Sequence, residues 1–303
     1  MKSALICHTL VESTPNPFDF ESAATAHGWA MLQPFSWHEG LAELSRVHRL
    51  ASGKVVRLHL KDGDLVPTSA VNIEVKSVEP LDSTEEGEVR GAVRRMLRLD
   101  EDLTGFYQLA AQFDGWQLRV RPGGGRLLRC PSLFEDIVYT LCTTNIAWSG
   151  TIRMVDRLTT HLGEPFSGEP EGRAFPTPAA LASGGPEFLR QTTGLGYRSG
   201  YVWELAAAVV EGHLNLAELE DPALPTEELH QALRQLKGVG PYAAATLLMI
   251  LGRYDYLAID TELRAFVSKK YYDGQPVSEA QIRSVYAPWG AWQYLAYWFD
   301  SPV

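Results

Sequence analysis

The 303-residue chain has only three cysteines, Cys7, Cys130 and Cys142. Three thiols cannot build a disulfide framework, and they fall short of the four that an iron–sulfur cluster or an all-cysteine zinc site takes. Inert thiols in a reducing, cytoplasmic compartment are expected, with a nucleoid association if the source is bacterial. The eight histidines show no pair at the i, i+4 spacing of helical metal ligands, so neither a metal site nor a cofactor is expected. No apolar run approaches 18 residues, and the short apolar stretch near the N-terminus lacks a small-residue cleavage pattern, so no membrane span and no secretion are expected. A basic excess is missing too. The formal net charge is −10, spread evenly along the chain, which argues against a protein that holds nucleic acid mainly by neutralising phosphates.

What is present is ordinary globular composition, 45% hydrophobic and 21% charged, at a length suited to about two domains. Trp29 to Leu32, Lys54 to Leu60 and residues 65–75, with the turn signal at Lys61 to Asp64, read as strands of an antiparallel sheet. From about Glu85 the apolar spacing becomes helical, interrupted by a β-like stretch at Trp116 to Val120 and a glycine turn at Gly123 to Gly125. Ser132 with Glu135, and Ser278 with Gln281, are capping-box patterns at helix starts. Tyr197 to Val210 and Glu227 to Leu236 read as helices stopped by Gly212 and Gly238. Gly163 to Pro178 reads as a long loop. The fold class expected is α+β: an N-terminal antiparallel β domain over residues 1–104 and an all-α core over 105–303.

The segment Leu236 to Gly252 carries the most chemistry. Gly238-Val239-Gly240 lies between two helical patterns, and Pro241 suits the first position of the second helix, where no amide partner is needed. This is a helix-hairpin-helix. Its glycines leave backbone amides unshielded, and with the following helix dipole these suit an anion such as a nucleic acid phosphate. The same turn also suits a plain αα-hairpin packed tightly. About twenty residues on, Asp260 sits between an apolar run and a helix start, where it can be a simple N-cap or a carboxylate that stabilises a developing sugar cation.

This hairpin followed at such a distance by an aspartate resembles the helix-hairpin-helix (HhH-GPD) DNA glycosylase superfamily, over roughly residues 105–303. Gly123 to Asn145, Phe175 to Ala182, Gly194 to Val202 and Tyr286 to Phe299 add to the resemblance in the family's order. The runs GLGYRSGYV and YAPWGAWQYLAYWF are similar to 8-oxoguanine DNA glycosylases. The N-terminal FDFESAATAHGWAMLQPFSWHEG and the FPTP stretch are similar to bacterial 3-methyladenine DNA glycosylase II.

The resemblance implies an all-α glycosylase core and a set of roles. Asp260 would be the catalytic carboxylate, and Gly238, Val239 and Gly240 would grip the DNA backbone. Tyr242, Tyr294 and Trp298 would line the base pocket, and Asn145 would fill the void left by an extruded base. In members that also cut the strand, a lysine two residues past the glycine turn forms a Schiff base; here that position is Tyr242. A monofunctional enzyme releasing alkylated bases of the 3-methyladenine type is therefore expected, acting as a monomer on double-stranded DNA containing a damaged base. An oxidised-purine glycosylase and a non-catalytic damage-binding module are the alternatives. The glutamine expected of an 8-oxoguanine reader falls at Tyr294. Glu262 stands where relatives often have histidine near the DNA backbone, and a carboxylate there repels phosphate.

Overall fold

The computed structural model describes residues 5–63, 69–116, 119–167 and 172–301. In chain order its elements are β1 (Ile6–Ser13), α1 (Phe20–Thr25), β2 (Phe35–His38), β3 (Glu43–Arg49), β4 (Val55–Gly63), β5 (Ala70–Ser77), α2 (Ser83–Leu97), α3 (Thr104–Ala110), α4 (Leu133–Thr143), α5 (Trp148–Leu162), α6 (Pro178–Ser183) and α7 (Gly185–Thr193). There follow α8 (Arg198–Val210), α9 (Leu216–Leu219), α10 (Thr226–Gln235), α11 (Pro241–Ile250), α12 (Thr261–Tyr271), α13 (Glu279–Tyr286) and α14 (Gln293–Asp300). The strands form one antiparallel sheet in the order β1-β5-β4-β3-β2. The class is α+β. Packing groups the chain into two compact units, each drawn from two stretches: Met1–Asp102 with Pro122–Leu216, and Leu103–Arg121 with Ala217–Val303.

The first unit holds the sheet. Period-two burial selects its inner face: Val56, Leu58 and Leu60 on β4 alternate with less buried neighbours, and Ile73 and Val75 pair opposite Leu60 and Leu58. Arg46 on β3, opposite Leu58, also points to this inner side and is only 2% exposed. Its Nη2 donates to both carboxylate oxygens of Glu135 at 3.2 Å. That ion pair explains why the expected capping box at Ser132 is half formed. The Ser132 hydroxyl accepts the Glu135 amide at 3.3 Å, but the Glu135 side chain turns to the arginine instead of back to the helix start. At Ser278 and Gln281 both halves of the box are present.

Two strand expectations are corrected. Trp29 to Leu32 is not a strand: a 3-10 turn spans Trp29–Met31 after Gly28, whose φ of 87° is open to glycine. Burial of Trp29, with its indole N–H donating to Asp136 Oδ1 at 3.2 Å, outweighs the local aromatic preference for a strand. In Trp116 to Val120, residues 117–118 lie outside the described residues. The rest is a turn in which the amides of Arg119 and Val120 both donate to the Trp116 carbonyl at 2.9 Å. Asp64 and residues 65–68 of the expected hairpin, and residues 168–171 of the expected loop, also lie outside the described residues. The flanking residues of that loop form a single bridge, Pro165 to Arg173.

The second unit is helical and centred on an aromatic core. Trp289, 3% exposed, stacks on Phe113 at 4.6 Å and lies 4.3 Å from Trp116, while Phe106 packs against Trp289, Trp292 and Phe299. Trp292 also stacks on Tyr254 at 6.0 Å. Trp289 and Trp292 are therefore packing residues, which leaves the remaining aromatics of the last helix to be placed individually.

Candidate active site

Helices α10 and α11 make the expected hairpin. Gly238 adopts a φ of 86°, the conformation that permits the reversal. Val239 is buried, and its amide donates to the Leu236 carbonyl at 3.0 Å. It therefore closes the turn and does not offer its amide outward as the sequence suggests. Gly240 is the N-cap of α11 with ordinary extended angles and no capping side chain. A Cβ there would meet nothing within 4 Å, so neither strain nor packing requires glycine. What it leaves is bare backbone at the start of a ten-residue helix, where the first amides have no intrahelical acceptor.

Asp260 is the N-cap of α12. Its Oδ1 accepts the Leu263 amide at 2.8 Å, and its carbonyl accepts from Arg264 at 3.1 Å. Among the described residues Oδ2 has no protein partner. The bland and the chemical readings of this aspartate thus coexist: one oxygen holds the helix start, and the other is left for chemistry. The side chain is half-buried.

Two phenols of α14, Tyr294 and Tyr297, feel its charge, and Tyr242 of α11 acts on both of them. Tyr242 stands in the first turn of α11 and is 50% exposed, whereas Tyr294 and Tyr297 are half-buried on α14, with ring centres 6.1 Å apart in an edge-on arrangement. Burial pushes the Tyr294 phenol up, and the Tyr297, Tyr242 and Asp260 charges push it further. Burial also raises Tyr297 to about 12, assisted by Asp260 and Glu262. The cause is plain electrostatics: a phenolate beside carboxylates in a poorly solvated site is disfavoured. Both rings therefore remain neutral hydrogen-bond donors at physiological pH. Glu262 is exposed in the first turn of α12.

Sequence spacing pairs Tyr294 with Trp298, four residues apart; Tyr297, three residues from Tyr294, is a further phenol on which the Asp260 charge acts. Trp298 is half-buried, and among the described residues it stacks on none of these rings. The i, i+3 relation of Tyr294 and Tyr297 was the available signal. Asn145 belongs to the sheet-bearing unit, where it is exposed with a φ of 48°, and its Nδ2 lies 3.5 Å from the Tyr197 hydroxyl. That hydrogen bond holds the Tyr197 phenol below its ordinary range. Among the described residues, no group of three or more His, Cys, Asp or Glu side chains is placed to hold a metal ion, and no helix is long and apolar enough to cross a membrane.

An α+β chain with this sheet, this hairpin and this capping aspartate has the fold of the helix-hairpin-helix DNA glycosylases. In particular, it is similar to the 3-methyladenine DNA glycosylase of Archaeoglobus fulgidus, with a TM-score of 0.74, 20% identity and 96% of each chain covered. It is also similar to the apo 8-oxoguanine glycosylase/lyase of Clostridium acetobutylicum, with a TM-score of 0.70 at 16% identity over 99% of each chain. That same enzyme in complex with double-stranded DNA containing cytosine opposite 8-oxoguanine matches with a TM-score of 0.59 and 18% identity, covering 84% of this chain and 86% of that one. No protein-family model matches the chain.

Proposed function

We propose that the protein is a monofunctional DNA glycosylase that hydrolyses the N-glycosidic bond of alkylated bases, of the 3-methyladenine type, in duplex DNA. One observation carries the reading: the Asp260 carboxylate, with Oδ1 committed to the cap of α12, acts electrostatically on the phenols Tyr294 and Tyr297, as Tyr242 does. The fold shared with glycosylases of two lesion classes supports the general activity.

The chemistry follows from these groups. A base stacked in duplex is out of reach, so the damaged nucleotide rotates out at a cost of roughly a few kcal/mol. The electron-rich phenol rings favour a cationic alkylated purine by cation–π attraction, about 0.5 to 2 kcal/mol per ring. As the C1′–N bond breaks, its electron pair neutralises the departing base and positive charge develops on the sugar. Asp260 stabilises that charge and takes the proton of the water that adds to C1′. Tyr242 occupies the position from which a lysine would attack the sugar, and a phenol forms no Schiff base.

The test is a panel of duplex oligonucleotides carrying methylated, deaminated or oxidised bases, each followed by hot alkali. Release of 3-methyladenine is expected, with strand breaks only after alkali and no adduct trapped by borohydride. Release of 8-oxoguanine without any methylpurine would overturn the lesion class. No excision of any base, with DNA binding retained, would make the protein a binding module.

A further inference from the structure

Asp300 closes α14 and is only 4% exposed. A carboxylate this buried is costly unless it is paired, and four donors reach it. Oδ1 accepts from Lys270 Nζ at 2.5 Å and from Arg119 Nη1 at 2.9 Å. Oδ2 accepts from the Tyr271 hydroxyl at 2.5 Å and the Tyr286 hydroxyl at 3.1 Å. Lys270 Nζ also donates to the Asp300 carbonyl at 3.0 Å, a cation at a helix C-terminus where the exposed carbonyls favour one. Burial, and after it the Asp300 carboxylate, raise the Tyr271 and Tyr286 phenols, which keeps both as donors.

The partners come from three places in one unit: the end of α12, the end of α13 and the stretch Leu103–Arg121. Of these, the link to α12 bears on the site. The carboxylate at the N-cap of that helix, Asp260, raises the phenols of Tyr294 and Tyr297 on α14, while its C-terminal residues Lys270 and Tyr271 hold Asp300. The two helices meet at two successive levels in the same chain direction, Phe266 against Tyr297 at 6.0 Å and then Lys270 and Tyr271 against Asp300. Ten residues separate Asp260 from Lys270, about 15 Å of helix. Ring packing alone permits a small slide along that length; a charged knot at one end does not.

We infer that Asp300 is a positioning residue for the Asp260 site: by locking the C-terminal ends of α12 and α14 together, it sets the register at which Tyr294 and Tyr297 face the Asp260 carboxylate. Its catalytic consequence rests on the glycosylase reading, but the register itself does not.

The experiment separates the two. Fluorine NMR of 3-fluorotyrosine placed at position 297 reports the ionisation of that phenol, and single-turnover excision of a methylpurine reports the chemistry. In the Asp300→Asn chain the phenol should ionise at lower pH than in the unsubstituted chain, and most of that shift should vanish in an Asp260→Asn background, where the carboxylate that would move is gone; a shift of the same size in both backgrounds is the direct loss of the Asp300 charge and overturns the proposal. Excision should fall about 10- to 100-fold, as displacements near 1 Å at a reacting centre do, with affinity for lesion duplex little changed. An unaltered titration, or an unaltered excision rate, overturns the proposal. If the unsubstituted chain excises nothing, the glycosylase reading fails while the titration still decides the register. Should Asp300→Asn not fold, Tyr271→Phe with Tyr286→Phe keeps both ion pairs. The titration should then shift in the same direction by less, and an absent shift counts against the proposal equally.

Discussion

Phe266 on α12 and Tyr297 on α14 meet with ring centres 6.0 Å apart and planes tilted by 59°. Asp260 lies six residues before Phe266, and its carboxylate, with that of Glu262, is what most disfavours the Tyr297 phenolate after burial. One ring therefore serves both the packing of two helices and the electrostatics of the candidate site, and substitutions there will confound stability with chemistry.

Asparagine caps a helix about as well as aspartate, whereas alanine loses about 1 kcal/mol. Asp260→Asn should therefore keep Tm close to that of the unsubstituted protein while excision falls about 10²- to 10⁴-fold, the range of a lost acid or base group. Asp260→Ala should show the same kinetic loss and a lower Tm. Full activity in Asp260→Asn would reduce this residue to its capping role.

The two hairpin glycines should respond differently to alanine. Gly238 has a φ of 86°, so Gly238→Ala forces a left-handed residue and should cost about 1 kcal/mol or more of stability. At Gly240 a Cβ meets only open space. Gly240→Ala should leave thermal unfolding unchanged yet weaken duplex binding measured by fluorescence anisotropy. Equal DNA affinity in both chains would remove the hairpin from the DNA-contacting surface.

Acid should loosen the sheet-bearing unit. Burial pushes His27 down to about 4 and His48 down to about 3, from an ordinary value of 6.5. Each is folded as neutral imidazole, so the unfolded chain takes up protons first as pH drops. The stability they confer is present above pH 6.5 and is lost progressively as pH falls through 6.5 toward 4 and then 3. Urea midpoints measured between pH 7.5 and 4 should decline accordingly, and His27→Gln should flatten the dependence; a parallel curve for that variant would place the acid sensitivity elsewhere.

The Arg46–Glu135 pair should be expensive to break and cheap to replace. Glu135→Gln leaves a guanidinium buried without its counter-charge and should cost about 3 to 5 kcal/mol in chemical denaturation. Replacing both partners together, Arg46→Met with Glu135→Leu, should recover most of that loss, because the desolvation cost disappears with the charges. A double variant as unstable as the single one would indicate that the pair contributes more than mutual neutralisation.

Local pattern carried much of the architecture. The alternation at Val56, Leu58 and Leu60, the helical spacing after Glu85, the glycine stop at Gly212 and the cap at Ser278 all express interactions between residues a few positions apart, whereas α10 ends on an extended Leu236, two residues before Gly238. Where a distant partner competed, local pattern misled. Glu135 left its capping box for Arg46, 89 positions away, and Trp29 left the strand conformation for a burial site beside Asp136, 107 positions away.

The candidate site divides along the same line. Asp260 and the Gly-x-Gly turn were legible in the sequence, because a cap and a tight reversal are properties of consecutive residues. Which aromatic of the last helix joins Asp260, that Val239 spends its amide inside the turn, and that Asp300 gathers donors from three separate stretches were decided only by folding. A helix presents several faces, and its own periodicity cannot say which of them meets a neighbour; the packing of that neighbour does.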